Sequence, residues 1–318
     1  TLYLLLFIYI NLTCFCTLYI FKYYLYRNDI MDYDFFKGKN VLVTGASQGI
    51  GLAFAKLALE NGSRVWATHL GPLPLELEED GTGIKFIRAD VRDTRLASQL
   101  LEELISKEGG IDILNTNAAV SYMAPRNDHC YWEAYEISME TNVKGVMNYT
   151  HPWLNHLRAS GRDGALIIPS SVVVPMTQSG HSNSEHSDWF PVESLDPYAA
   201  SKAAVQAFAG DVMRTFNPSF GNNQLVIAVP QYGAVLTHLL SFESEQLASQ
   251  YERRTGESCT PERFLHEVFP QFNAVHRNLS PEETADFTAR LLGSCLRDRV
   301  SRVVPQPGGI VPSDYQWQ

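Results

Sequence analysis

With 318 residues, 45% of them hydrophobic and 19% charged, the chain is long enough for one large globular domain with a sizeable core. A net charge of −10 argues against a nucleic-acid partner, which needs a basic surface. The five cysteines (14, 16, 130, 259 and 295) suggest neither a disulfide framework nor a zinc site, and their pattern fits a reducing compartment.

Residues 1–30 stand apart from the rest. Leu2 to Phe21 carries no charge and is rich in Leu, Ile, Tyr and Phe, enough to span a bilayer as a helix. Lys22 and Arg27 follow it and would keep the downstream domain on the cytoplasmic side. A secretory signal is disfavoured, since no basic residue precedes the run and no small-residue cleavage site follows. The segment also lacks Gly, Ala and Pro, and Met31 stands just before the first strand. Two readings stay open: a membrane anchor, or translated upstream sequence. The expected location is accordingly cytoplasmic, or the cytoplasmic face of a membrane. Residues 31–318 are expected to form a single domain.

From Lys39 onward, strand and helix signals alternate. Val41–Val43 is an apolar strand that enters a glycine turn, and Gly51–Asn61 is a helix closed by Asn61-Gly62. Arg64–Thr68 is a second strand, followed by a Pro/Glu-rich loop over Gly71–Gly83 and a third strand over Lys85–Ala89. Leu96–Ser106 is an amphipathic helix, and a fourth strand starts at Ile111. Helices are expected over Trp132–Tyr149 and Trp153–Ser160, then a fifth strand over Leu166–Ile168. Tyr198–Phe216 is a long helix, Leu225–Val229 the sixth strand, Pro281–Leu296 a late helix and Arg302–Val304 the seventh strand. Such alternation implies right-handed crossovers and an α/β fold, with one doubly wound parallel seven-stranded sheet of the Rossmann type, helices on both faces.

Two short segments carry chemistry. In Thr44-Gly-Ala-Ser-Gln-Gly-Ile-Gly51 the glycines permit a sharp turn and let backbone amides approach a pyrophosphate at a helix N-terminus. Tyr198-Ala-Ala-Ser-Lys202 places a phenol and an ammonium on one helix face. An adjacent ammonium favours phenolate, so the pair is expected to lower the tyrosine's pKa and to exchange a proton with an alcohol or carbonyl.

In this order, the two segments resemble the short-chain dehydrogenase/reductase family, over about residues 37–312. The resemblance implies a dinucleotide site formed by Gly45, Ser47, Gln48, Gly49, Ile50 and Gly51. Asp90 would bond the adenine amino group, with Val91 beside it. Asn117 and Ala118 stand where the family has Asn-Asn-Ala-Gly. Val235 and Thr237 would hold the nicotinamide carboxamide, in a loop where Tyr232 replaces the usual proline. The implied catalytic set is Asn142, Ser171, Tyr198 and Lys202. Tyr198 exchanges the proton, Lys202 supports it and bonds the nicotinamide ribose, Ser171 donates to the substrate oxygen, and Asn142 holds a water leading to solvent. Asn117-Ala-Ala-Val120 and the ending Val304-Pro-Gln-Pro-Gly-Gly309 are similar to carbonyl reductases of the dicarbonyl/L-xylulose kind, although the long insert before Tyr198 departs from them.

A carboxylate at the end of the second strand selects NAD, and a nearby basic residue selects NADP. Here that position is His69, followed by Leu70 and with no arginine after it. His69 and Ser47 accommodate a phosphate better than they replace a carboxylate, so NADP is expected, with NAD possible. No metal site is expected. Pro175–Leu195 is an insert that contains His181, Asp188, Trp189 and Phe190 and is expected to form a polar lid; Leu236–Pro270 occupies the place of a mobile substrate-binding loop. The partner is a small carbonyl or alcohol, the resemblance implies a homodimer or homotetramer, and a membrane enters only if residues 1–30 are genuine. Two other functions fit the pattern less well: a non-catalytic NAD(P)-binding sensor or scaffold, and a nucleotide-sugar epimerase or dehydratase.

Overall fold

A computed structural model describes residues 33–306, except 79–80, 123, 125–127, 175–195, 217–223, 234 and 273–276. The N-terminal segment 1–30, the insert before Tyr198 and the glycines at 308–309 lie outside the described residues. Tyr33–Ser313 forms one compact unit. Among the described residues no helix is long and apolar enough to cross a membrane.

The strands are β1 (Asn40–Val43), β2 (Arg64–His69), β3 (Lys85–Arg88), β4 (Ile113–Asn115), β5 (Gly164–Ile167), β6 (Ser170–Ser171), β7 (Leu225–Tyr232) and β8 (Arg302–Pro305). All pair in parallel, in the order β3-β2-β1-β4-β5-β7-β8. The two-residue β6 continues the line of β5 along β7 in unchanged register: Gly164 faces Leu225 and Ser170 faces Gln231. Seven rows result, as the sequence implies. Ile168-Pro169 breaks the fifth row, because proline has no N–H to give to a ladder.

Alternate residues of each central strand feed opposite cores. Leu42, Trp66, Leu114, Leu166 and Ile227 pack on one face, against α2 (Thr94–Glu108), α4 (Gly145–Ser160) and α5 (Asp196–Phe216). Val41, Val65, Ile113, Ala165 and Val226 pack on the other, against α1 (Gly49–Glu60) and α7 (Pro281–Asp298). A third cluster joins Val173, Val174 and Ala199 to Leu240 and Leu247 of α6 (His238–Thr255) and to Phe264 and Phe269 beyond it. The stretch expected to be a mobile loop is thus largely helical where it is described.

One helix boundary differs from expectation. No break separates Tyr149 from Trp153: α3 (Tyr131–Met139) passes through a π turn (Glu140–Lys144) into α4, which runs on across Pro152. Proline costs a helix one hydrogen bond. Burial of Tyr149, Thr150, Trp153 and Leu157, together with the bond from Trp153 Nε1 to the Ile111 carbonyl at 2.8 Å, holds the segment helical. Asn148 begins an Asn-Tyr-Thr triplet of the glycosylation type, but it is buried and donates to the Val91 carbonyl at 2.8 Å, which leaves it no access to a glycan.

Candidate active site

The C-terminal ends of the strands open into a cleft of about 510 Å³. One end of it is lined by Gly45, Ser47, Gln48, Gly49 and Ile50, the turn between β1 and α1. The turn depends on its glycines. Gly45 and Gly49 have positive φ, and a Cβ on Gly45 would lie 2.7 Å from the Ala118 Cα. Gly51 does not line the cleft; a Cβ there would meet Asn117 Nδ2 at 2.4 Å, so its role is close packing behind the turn. Asn117 Nδ2 donates to the Thr44 and Gly45 carbonyls at 3.2 and 3.1 Å, and the Ala118 amide donates to Thr44 Oγ1 at 3.0 Å. Asn117 therefore pins the turn as well as lining the cleft. The α1 N-cap, Gln48, makes no side-chain capping bond, and the first amides of the helix meet the cleft uncapped. A compact glycine turn with an uncapped helix start suits a pyrophosphate.

The middle of the cleft holds Asp90 and Val91. Both Asp90 oxygens accept from the Arg92 guanidinium, at 2.6–3.1 Å, which holds the carboxyl below its usual range. Val91 packs where a Cβ on Gly145 would come within 2.8 Å of its Cγ2, so the glycine three residues after Asn142 is required by a close approach. At the β2 end, His69 is buried and donates from Nδ1 to the Gly71 carbonyl at 2.7 Å. Arg88, which pairs with His69 across β2 and β3, donates from Nε to the Leu70 carbonyl at 3.2 Å. A basic group therefore stands at this corner although none follows it in sequence.

The far end of the cleft carries Ser171, Tyr198 and Lys202, with Val235 and Thr237 at its edge. The Thr237 Cγ2 lies 3.4 Å from where a Gly49 Cβ would be, so the two ends of the site converge there. Ser171 Oγ is anchored between the Tyr232 carbonyl and the Val173 amide, at 3.5 and 3.3 Å. Tyr232 fixes its own place through a 2.9 Å bond between its hydroxyl and Thr288 Oγ1, which explains how a tyrosine stands in for proline. Lys202 Nζ donates to the Pro169 carbonyl at 3.0 Å and lies 5.6 Å from the Tyr198 ring centre.

Two residues of the expected set have surroundings that differ from expectation. The Tyr198 phenol is pushed well above its ordinary value, chiefly by burial and then by the charge of Glu243, with a Ser171 hydrogen bond opposing. Lys202 does not bring it back to its ordinary value, and burial lowers the lysine itself to about 8. Asn142 does not line the cleft. It is buried in the π turn, where Nδ2 donates to the Val120 carbonyl and to Ser201 Oγ at 2.8 and 2.9 Å, while Oδ1 accepts from the Val120 amide at 2.8 Å. Its side chain braces the cleft wall to α5.

Glu243 and Ser121 also line this end, and no sequence signal singled them out. Asp128, His129 and Cys130 bring ligand atoms within 4.8 Å of one another, but they do not line the cleft.

Comparison with known proteins places the chain. The sequence pattern described as short chain dehydrogenase matches residues 39–246. An uncharacterized oxidoreductase of Schizosaccharomyces pombe is 27% identical over 201 residues, 63% of this chain and 62% of that relative's length. The NAD(+)-linked 15-hydroxyprostaglandin dehydrogenase of Rattus norvegicus is 28% identical over 229 residues, 69% of this chain and 77% of that one. Among solved structures, L-sorbose reductase from Gluconobacter frateurii, complexed with NADPH and L-sorbose, is similar in fold, with a TM-score of 0.65 and 20% identity over 86% of this chain and 97% of that one. With the family pattern matched over most of its length and the parallel sheet in place, the chain belongs to the short-chain dehydrogenase family of oxidoreductases.

Proposed function

We propose that the protein reduces a small carbonyl compound with NADPH, using Tyr198 as the proton donor. The observation that carries this reading is a single cleft that joins the glycine turn at one end to Ser171, Tyr198 and Lys202 at the other. A bound nicotinamide supplies the hydride to the carbonyl carbon. Ser171 Oγ donates to the carbonyl oxygen as charge develops there, and Tyr198 then delivers its proton to that oxygen. A phenol held above its ordinary pKa stays protonated at neutral pH, which favours reduction over alcohol oxidation. The Lys202 ammonium faces the Tyr198 ring and the Pro169 carbonyl, and from there it stabilises the phenolate that the transfer leaves behind.

NADPH is preferred because the corner beyond β2 offers His69 and Arg88 and no carboxylate at positions 69–71. The named relatives differ on this point, one being NAD(+)-linked and the other complexed with NADPH. A homodimer or homotetramer belongs to the same proposal, with pairing across the groove of α4 and α5 that carries His151, Arg158, Phe208 and Asp211. A non-catalytic sensor is the weaker reading, since it gives no use to a serine, a tyrosine and a lysine gathered in one cleft.

Fluorescence titration of the full chain with NADPH and NADH tests the cofactor, alongside His69→Asp and Arg88→Ala variants. Wild type should bind NADPH the more tightly, and H69D should shift the preference towards NADH by roughly tenfold, about 1.4 kcal/mol. If neither nucleotide binds at sub-millimolar concentration, the reductase reading fails.

A further inference from the structure

Two buried polar atoms of the cleft lining have no hydrogen-bond partner among the described residues apart from each other: Glu243 Oε1 and Ser121 Oγ. They come from distant parts of the chain. Ser121 lies in the loop after β4, and Glu243 in the second turn of α6. They are close enough for the serine hydroxyl to offset part of what burial does to the carboxyl, which is held at about 7. They line the same cleft as Tyr198, and charge on Glu243 is one cause of the raised Tyr198 pKa. Buried polar groups are ordinarily satisfied, and a carboxyl oxygen and a hydroxyl that have at most each other are costly to keep. Packing does not demand a carboxylate there: the surrounding cluster of Val173, Leu240, Leu247, Phe264 and Phe269 is apolar.

We propose that Glu243 and Ser121 form a hydroxyl-recognition subsite beside Tyr198, so that the preferred substrate is a hydroxyketone carrying its hydroxyl near the reacting carbonyl. This rests on the reductase reading above and names its substrate class. A substrate hydroxyl donates to the Glu243 carboxyl oxygen and accepts from Ser121 Oγ, which satisfies both protein atoms at once. A plain ketone of the same shape covers both and satisfies neither, and that mismatch is the source of discrimination. Glu243 is here a specificity residue; proton transfer to the carbonyl oxygen stays with Tyr198.

The test compares 2-hydroxycyclohexanone with cyclohexanone on the full chain. Binding is measured by calorimetry with NADP+ present, and turnover with NADPH, for wild type, Glu243→Ala, Glu243→Gln and Ser121→Ala. Wild type should bind the hydroxyketone tighter than the ketone by roughly tenfold or more. E243A and S121A should each bring that ratio towards one, and E243Q, which keeps an acceptor, should retain part of it. A ratio near one in wild type, or a preference that survives both E243A and S121A, overturns the subsite. Reduction of both ketones at equal efficiency would sink the subsite and leave the reductase reading standing. A binding preference that depends on Glu243, with no turnover of either ketone, would sink the reductase reading and leave the subsite.

Discussion

The cofactor end and the substrate end of the cleft are built by different means. At the cofactor end, a contiguous turn presents backbone amides, and its geometry is dictated by positions where a side chain will not fit, at Gly45 and Gly51. At the substrate end, side chains converge from β6, α5, α6 and the loop after β4, and one apolar cluster joins the segment after β6 to α5 and α6. The first is a local device and the second a tertiary one. Damage to each should therefore be read by different measurements.

The largest expected effect is at the substrate end. Tyr198→Phe removes the proton donor and keeps the ring, so kcat/KM for carbonyl reduction should fall by roughly 10²–10⁴-fold while NADPH affinity stays within a few-fold. A parallel loss of cofactor binding would mean that the two ends are not separable. The converse is Gly45→Ala, whose Cβ would meet the Ala118 backbone at a positive φ. It should weaken NADPH binding and destabilise the fold by more than about 1 kcal/mol, read by titration and by urea denaturation.

A pH profile sharpens the contrast. Lys202, lowered by burial to about 8, is charged below that pH and neutral above it. In the proposed mechanism the ammonium stabilises the phenolate formed during reduction. So kcat/KM for reduction should hold below about pH 8 and decline above it by up to tenfold per unit, with NADPH binding declining less. A flat profile to pH 10 would remove Lys202 from the proton-transfer step. The smallest effect lies outside both ends. Ser280 and Glu283 form a reciprocal capping box at the start of α7, so Ser280→Ala should cost about 1 kcal/mol in urea unfolding and leave kinetics unchanged.

The same contrast explains which parts the sequence revealed. The alternation of short apolar runs with helical segments pointed to the parallel sheet, because strands buried on both faces read as continuous apolar stretches. The glycine turn and Tyr198-x-x-x-Lys202 were legible because both are short-range patterns. The uninterrupted passage across Pro152 was not, since a helix-breaking residue is overruled by the burial of Tyr149 and Trp153. Arg88 was missed because it reaches the β2 corner across a strand pair and not along the chain. Glu243 was one acid among several in an acidic stretch until α6 packed over Tyr198.

The sequence by itself determined the alternation of strands and helices and the glycine turn, which follow from local periodicity and spacing, and the family resemblance it carries pointed to Tyr198. Only the tertiary structure decided the surroundings of the Tyr198 phenol, the bracing contacts of Asn142 and the meeting of Glu243 and Ser121 in one cleft. Those depend on burial and on neighbours far away in the chain, and the free energy of a charge or a hydrogen bond is set by what surrounds it in space.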